Sequence, residues 1–310
     1  MSPITKTEVT TAHRLRAHVE HLATTIGPRN HRHKTLDTAR DYIEGEFRAA
    51  GFEPVRRSYD VDGELASNVE VEVRGTQHPA KILVVGAHYD TCEDTPGADD
   101  NASGVAVVLE LARRLRDAPL ERSVRLVAFA NEEPPYFWTD LMGSKVYAQA
   151  IAAEPVEVFG MLSIESVGYY SVERRSQSYP PPFSLLYPST GDFIAFVGNL
   201  ASRQLLKDAL GIFRKHTSFP SEGLAAPGWI PGVGWSDHWS FWKQGVPALM
   251  VTDTALHRNP HYHKTTDTAD RLDYARMARV LTGLEQVVRE LASPSSTVAT
   301  SPVSSGTVLR

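Results

Sequence analysis

The sequence predicts an α/β protein, a single layered domain whose mixed, twisted β-sheet is parallel at its centre and flanked by helices. Nearly continuous apolar runs recur at residues 81–87, 124–130, 158–165 and 246–252, as expected for strands buried on both faces. Amphipathic helical patterns separate several of these runs. Strands that alternate with helices are typical of a sheet with parallel strands.

The N-terminal part supplies helices and antiparallel strands that precede this alternation. Gly27 and Pro28 break the first helical pattern, and Gly51 is suited to end the second helix. The alternating residues Val69, Val71 and Val73 predict a strand with one buried face. The elements predicted here are helices over residues 7–26 and 35–50 and strands over residues 53–60 and 66–74.

The C-terminal part contains two segments that interrupt the alternation. Residues 171–200 include the run Pro180–Pro182, which suits neither a central strand nor a helix interior, and residues 219–235 are also rich in Pro and Gly. We expect one domain over residues 1–292, with an inserted lid or specificity segment at about 171–235 and a disordered tail at 293–310. The remaining helices are predicted over residues 101–116, 143–152 and 273–292.

Composition narrows the class of protein. A chain of 310 residues with 42% hydrophobic and 22% charged residues is typical of globular proteins. The net charge of -5 and the lack of a basic run argue against nucleic acid or an anionic membrane as partner. Cys92 is the single cysteine, which excludes an intrachain disulfide, and we expect it to be an inert small residue. Without an apolar leader or membrane span, a cytoplasmic location is predicted, and the oligomeric state is left open.

Acidic and histidine residues gather where the predicted strands end. In an α/β sheet the carboxyl ends of parallel strands meet at one edge, which is where such folds place their sites. A mixture of carboxylates and imidazoles at that edge would suit a divalent metal ion, and zinc accepts both kinds of ligand. The residues concerned are His88, Asp90, Asp99, Asp100, Glu132, Glu133, Glu165 and His263.

These side chains match what hydrolysis of an amide requires. Two metal ions about 3.5–4 Å apart can activate a water and polarise the carbonyl. A bridging carboxylate screens their repulsion, and a carboxylate kept off the metals can move the proton. We expect His88 and His263 as imidazole ligands, Asp100 as the bridge, Glu133 and Glu165 as further ligands, Glu132 as the base, and Asp90 as hydrogen-bond acceptor for a ligand imidazole.

Four segments together resemble the signatures of the M28 family of zinc metallopeptidases. They are residues 86–90, 97–104, 131–133 and 262–268, and they occur in the order of the family. The resemblance extends from roughly residue 13 to residue 292. It implies a co-catalytic dizinc exopeptidase of the bacterial leucyl-aminopeptidase type, a hydrolase that acts on a peptide or small amide.

The resemblance also implies a role for each matching residue. His88 and Glu165 would bind one zinc ion, Glu133 and His263 the other, and Asp100 would bridge the two. Glu132 would be the general base, and the peptide bond between Asp100 and Asn101 would be cis. Glu165 departs from the family pattern, which usually has the shorter aspartate here, so its strand would have to lie further back or its ligation would differ.

Several alternatives stay open. The same zinc site could carry out glutaminyl cyclisation, carboxypeptidase action or hydrolysis of a small N-acyl amide, and a non-catalytic binding module on this scaffold is a further alternative. His261 is the rival of His263 as a ligand. The segment Ser236–His238 is interpreted as pocket architecture, because consecutive residues cannot form a serine-protease triad. Aromatic residues near the strand ends favour a substrate with an apolar or aromatic side chain.

Overall fold

The computed structural model describes residues 3–181 and 183–294, which form an eight-stranded sheet with helices on both faces. The strands are β1 (Val55–Val61), β2 (Glu64–Val73), β3 (His78–His88), β4 (Arg122–Phe129), β5 (Glu157–Glu165), β6 (Ile194–Gly198), β7 (Ser221–Ala225) and β8 (Ala248–Thr252). The helices are α1 (Lys6–Glu20), α2 (Leu36–Ala49), α3 (Gly104–Leu115), α4 (Gly143–Ala152), α5 (Arg203–His216), α6 (His238–Trp242), α7 (Ala255–Arg258) and α8 (Tyr274–Ala292).

The sheet is mixed and its centre is parallel. The strand order is β1-β2-β4-β3-β5-β8-β6-β7. Strands β4, β3, β5 and β8 run parallel, whereas β2 joins one side antiparallel and β6 joins the other side antiparallel. Strand β3 therefore lies between β4 and β5, and the connection from β4 to β5 has to cross it. Ligand sites of open α/β sheets lie at such a reversal of strand order.

The apolar strand β3 is explained by the helices that cover both faces of the sheet. Successive side chains of a strand point to opposite faces. Leu83 and Val85 contribute to the larger core, which also contains buried residues of α1, α3 and α8. Ile82 and Val84 contribute to a second core, which is closed by α4 and α6. A strand with two buried faces is thus apolar at nearly every position.

Most of the predicted elements are confirmed. The helix over residues 143–152 has the predicted bounds, and Gly51 ends α2 with a φ of +88°, a conformation that favours glycine. The helix predicted over 7–26 consists of α1 and a π-helical turn at His21–Ile26. The predicted tail at 293–310 lies outside the described residues except for Ser293 and Pro294. In the described ranges, we find no helix with both the length and the apolar character that crossing a membrane requires.

The prediction of loop structure over residues 219–235 is wrong in part. Strand β7 lies in this range and pairs with β6, and helix α5 connects the two strands. The segment interpreted as an insertion thus contributes an edge of the main sheet. Strand β7 has the sequence Ser-Glu-Gly-Leu-Ala, which lacks β-branched residues, so that tertiary pairing rather than local propensity forms this strand.

Candidate metal centre

The predicted site residues converge at the carboxyl end of the parallel strands. Gly86 of β3 lies beside Ser163 of β5, so the two strands run in register toward His88 and Glu165 at their ends. His88 also lies beside Phe129, the last residue of β4. The loop after β4, residues 131–133, therefore begins next to His88. Strand register alone brings these three segments together, as the sequence predicts.

A first cluster consists of His88, Asp100 and Glu165. One nitrogen or carboxylate oxygen from each of these three residues lies within 4.8 Å of those of the other two. Nε2 of His88 is 3.2 Å from Oδ1 of Asp100 and 3.2 Å from Oε2 of Glu165. All three side chains are buried.

A second cluster consists of Cys92, Glu133 and His263, which meet the same distance criterion. Nε2 of His263 is 3.0 Å from Oδ2 of Asp100 and 3.2 Å from Oε1 of Glu133. The rival His261 instead shares a hydrogen bond of 2.9 Å between its Nδ1 and the hydroxyl of Thr266. Of the two histidines, His263 is the one that reaches the cluster, and the two oxygens of Asp100 face different clusters.

Asp100 is held between the two clusters by its backbone. The Asp100–Asn101 peptide bond is cis, as the resemblance implies. The carboxylate of Asp267 accepts hydrogen bonds from the backbone N–H groups of Asp99 (3.0 Å) and Asp100 (3.2 Å). The side chain of Asn101 donates to the carbonyl of Ile164 (2.9 Å) and accepts from the N–H of Gly104 (3.0 Å). These contacts connect the Asp100–Asn101 segment to the end of β5 and the start of α3.

Two hydroxyl groups hold the carboxylate of Glu165. The hydroxyl of Ser166 donates to Oε1 over 2.9 Å, and that of Ser236 donates to Oε2 over 2.8 Å. The extra methylene of glutamate is thus accommodated with both oxygens bonded and Oε2 directed at His88. Ser236 belongs to the segment Ser236–His238, whose predicted part in building the pocket is consistent with this contact. Nε2 of the buried His238 donates to the carbonyl of Val233 over 2.8 Å.

Asp90 contacts both the imidazole of His88 and the loop after β4. Nδ1 of His88 is closer to the backbone carbonyl of Asp90, at 3.2 Å, than to its carboxylate, at 3.5 Å. The carboxylate instead accepts hydrogen bonds from the backbone N–H groups of Glu132 and Glu133, each over 3.0 Å. The predicted hydrogen bond from the imidazole to Asp90 is thus made to the backbone carbonyl, and the turn after β4 presents two amides to the carboxylate. Asp90 fixes the loop that carries both glutamates.

Glu132 is close to the first cluster but belongs to neither cluster. Its Oε2 is 3.9 Å from Nε2 of His88, and its side chain is buried. Burial, and then the nearby negative charges of Glu133 and Glu165, raise the pKa of Glu132 well above its usual range. Burial and the charge of Asp100 raise the pKa of Glu133 to about 7. The protonated form is therefore favoured in both glutamates relative to an exposed carboxylate.

The donor set fits divalent metal ions. Within the ranges that the structure describes, the buried atoms Nε2 of His88 and Oε1 of Glu133 make no hydrogen bond of normal geometry. Buried polar atoms in native proteins nearly always have a partner. Four buried carboxylates also crowd this region with negative charge, which bound cations would neutralise. The carboxylates belong to Asp100, Glu132, Glu133 and Glu165.

Sequence reasoning missed a buried arginine beneath the site. Arg29 is 0% exposed and donates to the carbonyls of Tyr89 (2.8 Å), Pro96 (2.6 Å) and Gly97 (2.8 Å). Burial lowers the pKa of Arg29 to about 10, so the guanidinium stays charged at neutral pH. It fixes both ends of the loop between His88 and Asp100. The sequence shows it only as part of a helix-breaking segment, so no local signal was available.

Binding of metal ions is expected to release protons and to weaken as the pH falls. Burial alone lowers the pKa values of His88 and His263, but their hydrogen bonds and carboxylate neighbours outweigh it and raise both values. In the metal-free protein these imidazolium groups stabilise the fold below about pH 6.5, and this contribution is lost as the pH rises through the raised values. A metal ion must displace these protons, so its apparent affinity should fall about tenfold per pH unit for each proton displaced.

Isothermal titration calorimetry with zinc measures both the number of protons released and the apparent affinity. The titrations are run at several pH values between about 6 and 8, in buffers of different ionisation enthalpy. A His261→Ala variant is the matched control, because His261 lies outside the two clusters. Proton release of zero together with an affinity independent of pH would contradict the expectation.

The sequence model of peptidase family M28 matches residues 68–288. The uncharacterized protein YfbL of Escherichia coli strain K12 is 38% identical over 276 residues, which cover 86% of this chain and 84% of YfbL. A probable leucine aminopeptidase of Arthroderma otae is 29% identical over 231 residues, which cover 69% of this chain and 54% of that protein. The chain thus spans about half the length of the fungal relative.

Solved structures with a similar fold include a zinc aminopeptidase of Bacillus subtilis, with a TM-score of 0.74 and 14% identity over 91% of this chain and 95% of that one. A glutaminyl cyclase of Fimbriiglobus ruber has a TM-score of 0.68 and 19% identity over 93% of this chain and 97% of the other. At these identities the likeness concerns the fold alone. The family match, in contrast, covers the central strands and all the clustered side chains. The chain therefore belongs to peptidase family M28 and is a metal-dependent peptidase.

Proposed function

We propose that this peptidase is an aminopeptidase that uses two zinc ions and a glutamate base to remove the N-terminal residue of peptides. The observation that carries this proposal is the position of Asp100 between two clusters. Its Oδ1 is 3.2 Å from Nε2 of His88, and its Oδ2 is 3.0 Å from Nε2 of His263. A carboxylate that faces two separate imidazoles is suited to bridge a pair of ions. The zinc aminopeptidase that shares the fold supports zinc as the metal.

The two ions would share Asp100 and otherwise have different protein ligands. His88 and Glu165 would hold one, Glu133 and His263 the other, and Asp100 would contact both. When bound, such a pair lowers the pKa of a water molecule and polarises the scissile carbonyl. The nitrogen and oxygen donors are those that zinc accepts. The free α-amine of a peptide would be attracted by the surplus of carboxylates at the same place.

Glu132 would accept the proton of the attacking water on its carboxylate and deliver it to the departing amine. Its side chain lies 3.9 Å from the nearest ligand nitrogen, Nε2 of His88, and is outside both clusters. Burial raises its pKa, which makes the carboxylate a stronger base than an exposed one and suits a group that must accept a proton. Asp90 would fix its backbone through the hydrogen bond to its N–H group.

An apolar cavity beside the first cluster indicates which N-terminal side chains fit. Glu165, a proposed ligand, and Tyr262, the neighbour of His263, are among the residues that line it, so the cavity adjoins the proposed metal site. The cavity encloses about 880 Å³ of empty space, part of it open to solvent. Its walls are apolar and aromatic, as in most sites for small molecules. Prominent wall residues are Phe183, Tyr187, Phe193, Val197, Val233, Trp235, Met250 and Leu256.

Substrates with a large apolar N-terminal residue are therefore expected to be preferred. Burial of a leucine or phenylalanine side chain contributes roughly 1.5–3 kcal/mol, so leucyl and phenylalanyl anilides should exceed glycyl anilide in kcat/KM by about 10- to 100-fold. N-acetylation of the substrate should abolish cleavage, and a chelator should abolish it for every substrate. Cleavage confined to acylated compounds would contradict the aminopeptidase and favour an N-acyl amide hydrolase.

Glutaminyl cyclisation is the second candidate reaction, because a glutaminyl cyclase shares the fold. The discriminating substrate is a peptide with N-terminal glutamine. Loss of ammonia with an intact peptide chain, detected by mass spectrometry, would favour the cyclase. Release of free glutamine would favour the aminopeptidase.

A further inference from the structure

Cys92 lies where a metal ligand would lie. It is located in the loop after β3, and its side chain is partly buried. Its sulfur, a nitrogen of His263 and a carboxylate oxygen of Glu133 are within 4.8 Å of one another. The sequence-based expectation of an inert small residue does not account for this position.

Glu133 provides a second, independent observation. Its side chain is 4% exposed, and Oε1, 3.2 Å from Nε2 of His263, makes no hydrogen bond of normal geometry within the described part of the chain. A buried carboxylate oxygen that lacks a well-aligned donor is costly. This oxygen lies close to both an imidazole and a thiol, so a cation bound by all three groups would neutralise it.

The loop around Cys92 is fixed by contacts on both sides. The N–H of Thr91 donates to the carbonyl of Arg29 over 2.9 Å, and the N–H of Arg29 donates to the hydroxyl of Thr91 over 2.9 Å. The side chain of Asn30 donates to the carbonyls of Thr91 (3.1 Å) and Glu93 (2.6 Å), the two residues that flank Cys92. The thiol is thus presented by a fixed segment, which favours a built site.

We propose that Cys92 is a fourth protein ligand of the metal ion held by Asp100, Glu133 and His263. This rests on the proposed function, since it assumes an ion at that place. Four protein ligands are typical of closed tetrahedral zinc sites, whereas catalytic sites keep one position open. The ion at His88, Asp100 and Glu165 has three protein ligands and keeps such a position. The two ions are therefore unequal, with the open one on the side of Glu132.

A sulfur ligand also changes which metals bind. Thiolates favour zinc and other soft or borderline ions, whereas magnesium and manganese prefer oxygen ligands. We expect the ion on the Cys92 side to be retained when the protein is exposed to excess magnesium or manganese. The ion at His88 has only nitrogen and oxygen ligands and should exchange more readily.

Cobalt substitution of the intact protein tests this proposal. Cobalt bound to a thiolate shows a near-ultraviolet charge-transfer band, and Cys92 is the single cysteine of the chain, so that this band has one source. The band is expected in the native protein and should be absent from Cys92→Ser. Cys92→Ser should also bind its second cobalt ion at least about tenfold more weakly. Loss of a residue that only hydrogen-bonds to a metal ligand already lowers metal affinity by about 10- to 100-fold, and loss of a ligand should cost no less. Asp94→Asn, an exposed neighbour in the same loop, is the control and should keep the band.

Alkylation with iodoacetamide gives a second readout that does not depend on activity. Cys92 should react in the metal-free protein and be protected once zinc is bound. Two bound cobalt ions without a charge-transfer band, together with an alkylation rate unchanged by zinc, would overturn the role of Cys92 alone. Absence of the visible cobalt bands, and of any bound cobalt by metal analysis, would overturn the metal centre and this proposal together. Circular dichroism of Cys92→Ser checks that the fold is intact.

Discussion

Replacement of Glu132 by glutamine is expected to lower kcat by about 10²- to 10⁴-fold, the usual contribution of a general acid–base residue. Glutamine has the same shape but cannot accept the proton of the attacking water. Because Glu132 belongs to neither ligand cluster, the metal content should be unchanged. The measurement is kcat on a leucyl anilide together with metal analysis of the same preparation.

The stability of this variant provides a further check. Burial disfavours the charged form of Glu132, so removal of the charge should leave the melting temperature of the metal-free protein unchanged or higher. Glu157→Gln is a matched control, since Glu157 is exposed at the opposite end of β5. Turnover of Glu132→Gln close to the native rate, with both ions bound, would exclude Glu132 as the base.

Replacement of Asp100 by alanine is expected to impair both metal sites at once. Its two oxygens face different imidazoles, so the variant should fall from two zinc ions per chain to less than one. Zinc affinity at each site should fall by more than about 10- to 100-fold, which is the typical effect of removing a residue that only hydrogen-bonds to a metal ligand. His88→Ala, in contrast, removes a ligand from one cluster only and should still bind one ion.

Zinc content after dialysis, measured by plasma emission spectrometry, distinguishes these patterns. Asp270→Ala, at an exposed position, should retain both ions. Asp100→Asn preserves the packing and separates loss of charge from loss of fold. A stoichiometry of two in Asp100→Ala would rule out the bridging role, and a stoichiometry of zero in His88→Ala would rule out separate sites.

The central strands and the positions of the proposed ligands at their ends were predictable because both follow from local sequence. A buried parallel strand has an apolar run as its sequence. Because β3 and β5 pair in register, His88 and Glu165 lie at the same edge of the sheet. The His263 position was predictable from the resemblance of its surroundings to a known family. The structure adds that His261 is directed away, toward Thr266.

Contacts between distant segments were not predictable in the same way. Strand β7 depends on pairing with β6 rather than on its own residues. Arg29 donates to carbonyls about 60 residues along the chain, and nothing in its neighbourhood signals burial. The proximity of Cys92 to His263, within 4.8 Å, likewise depends on two loops far apart in sequence. The amide contacts of Asp90 arise from the turn after β4, whose path a linear pattern does not specify.

The sheet places the proposed metal ligands and much of the cavity wall on different strands. The proposed ligands lie on β3 and β5 and on the loops that follow β3, β4 and α7, whereas much of the apolar cavity wall lies on β6 and β8 and on the loops beside them. Substitutions at wall positions such as Val197 or Met250 can alter the accepted side chain without touching an imidazole or a bridging carboxylate. Related proteins can therefore differ in substrate specificity while they keep the same proposed metal ligands.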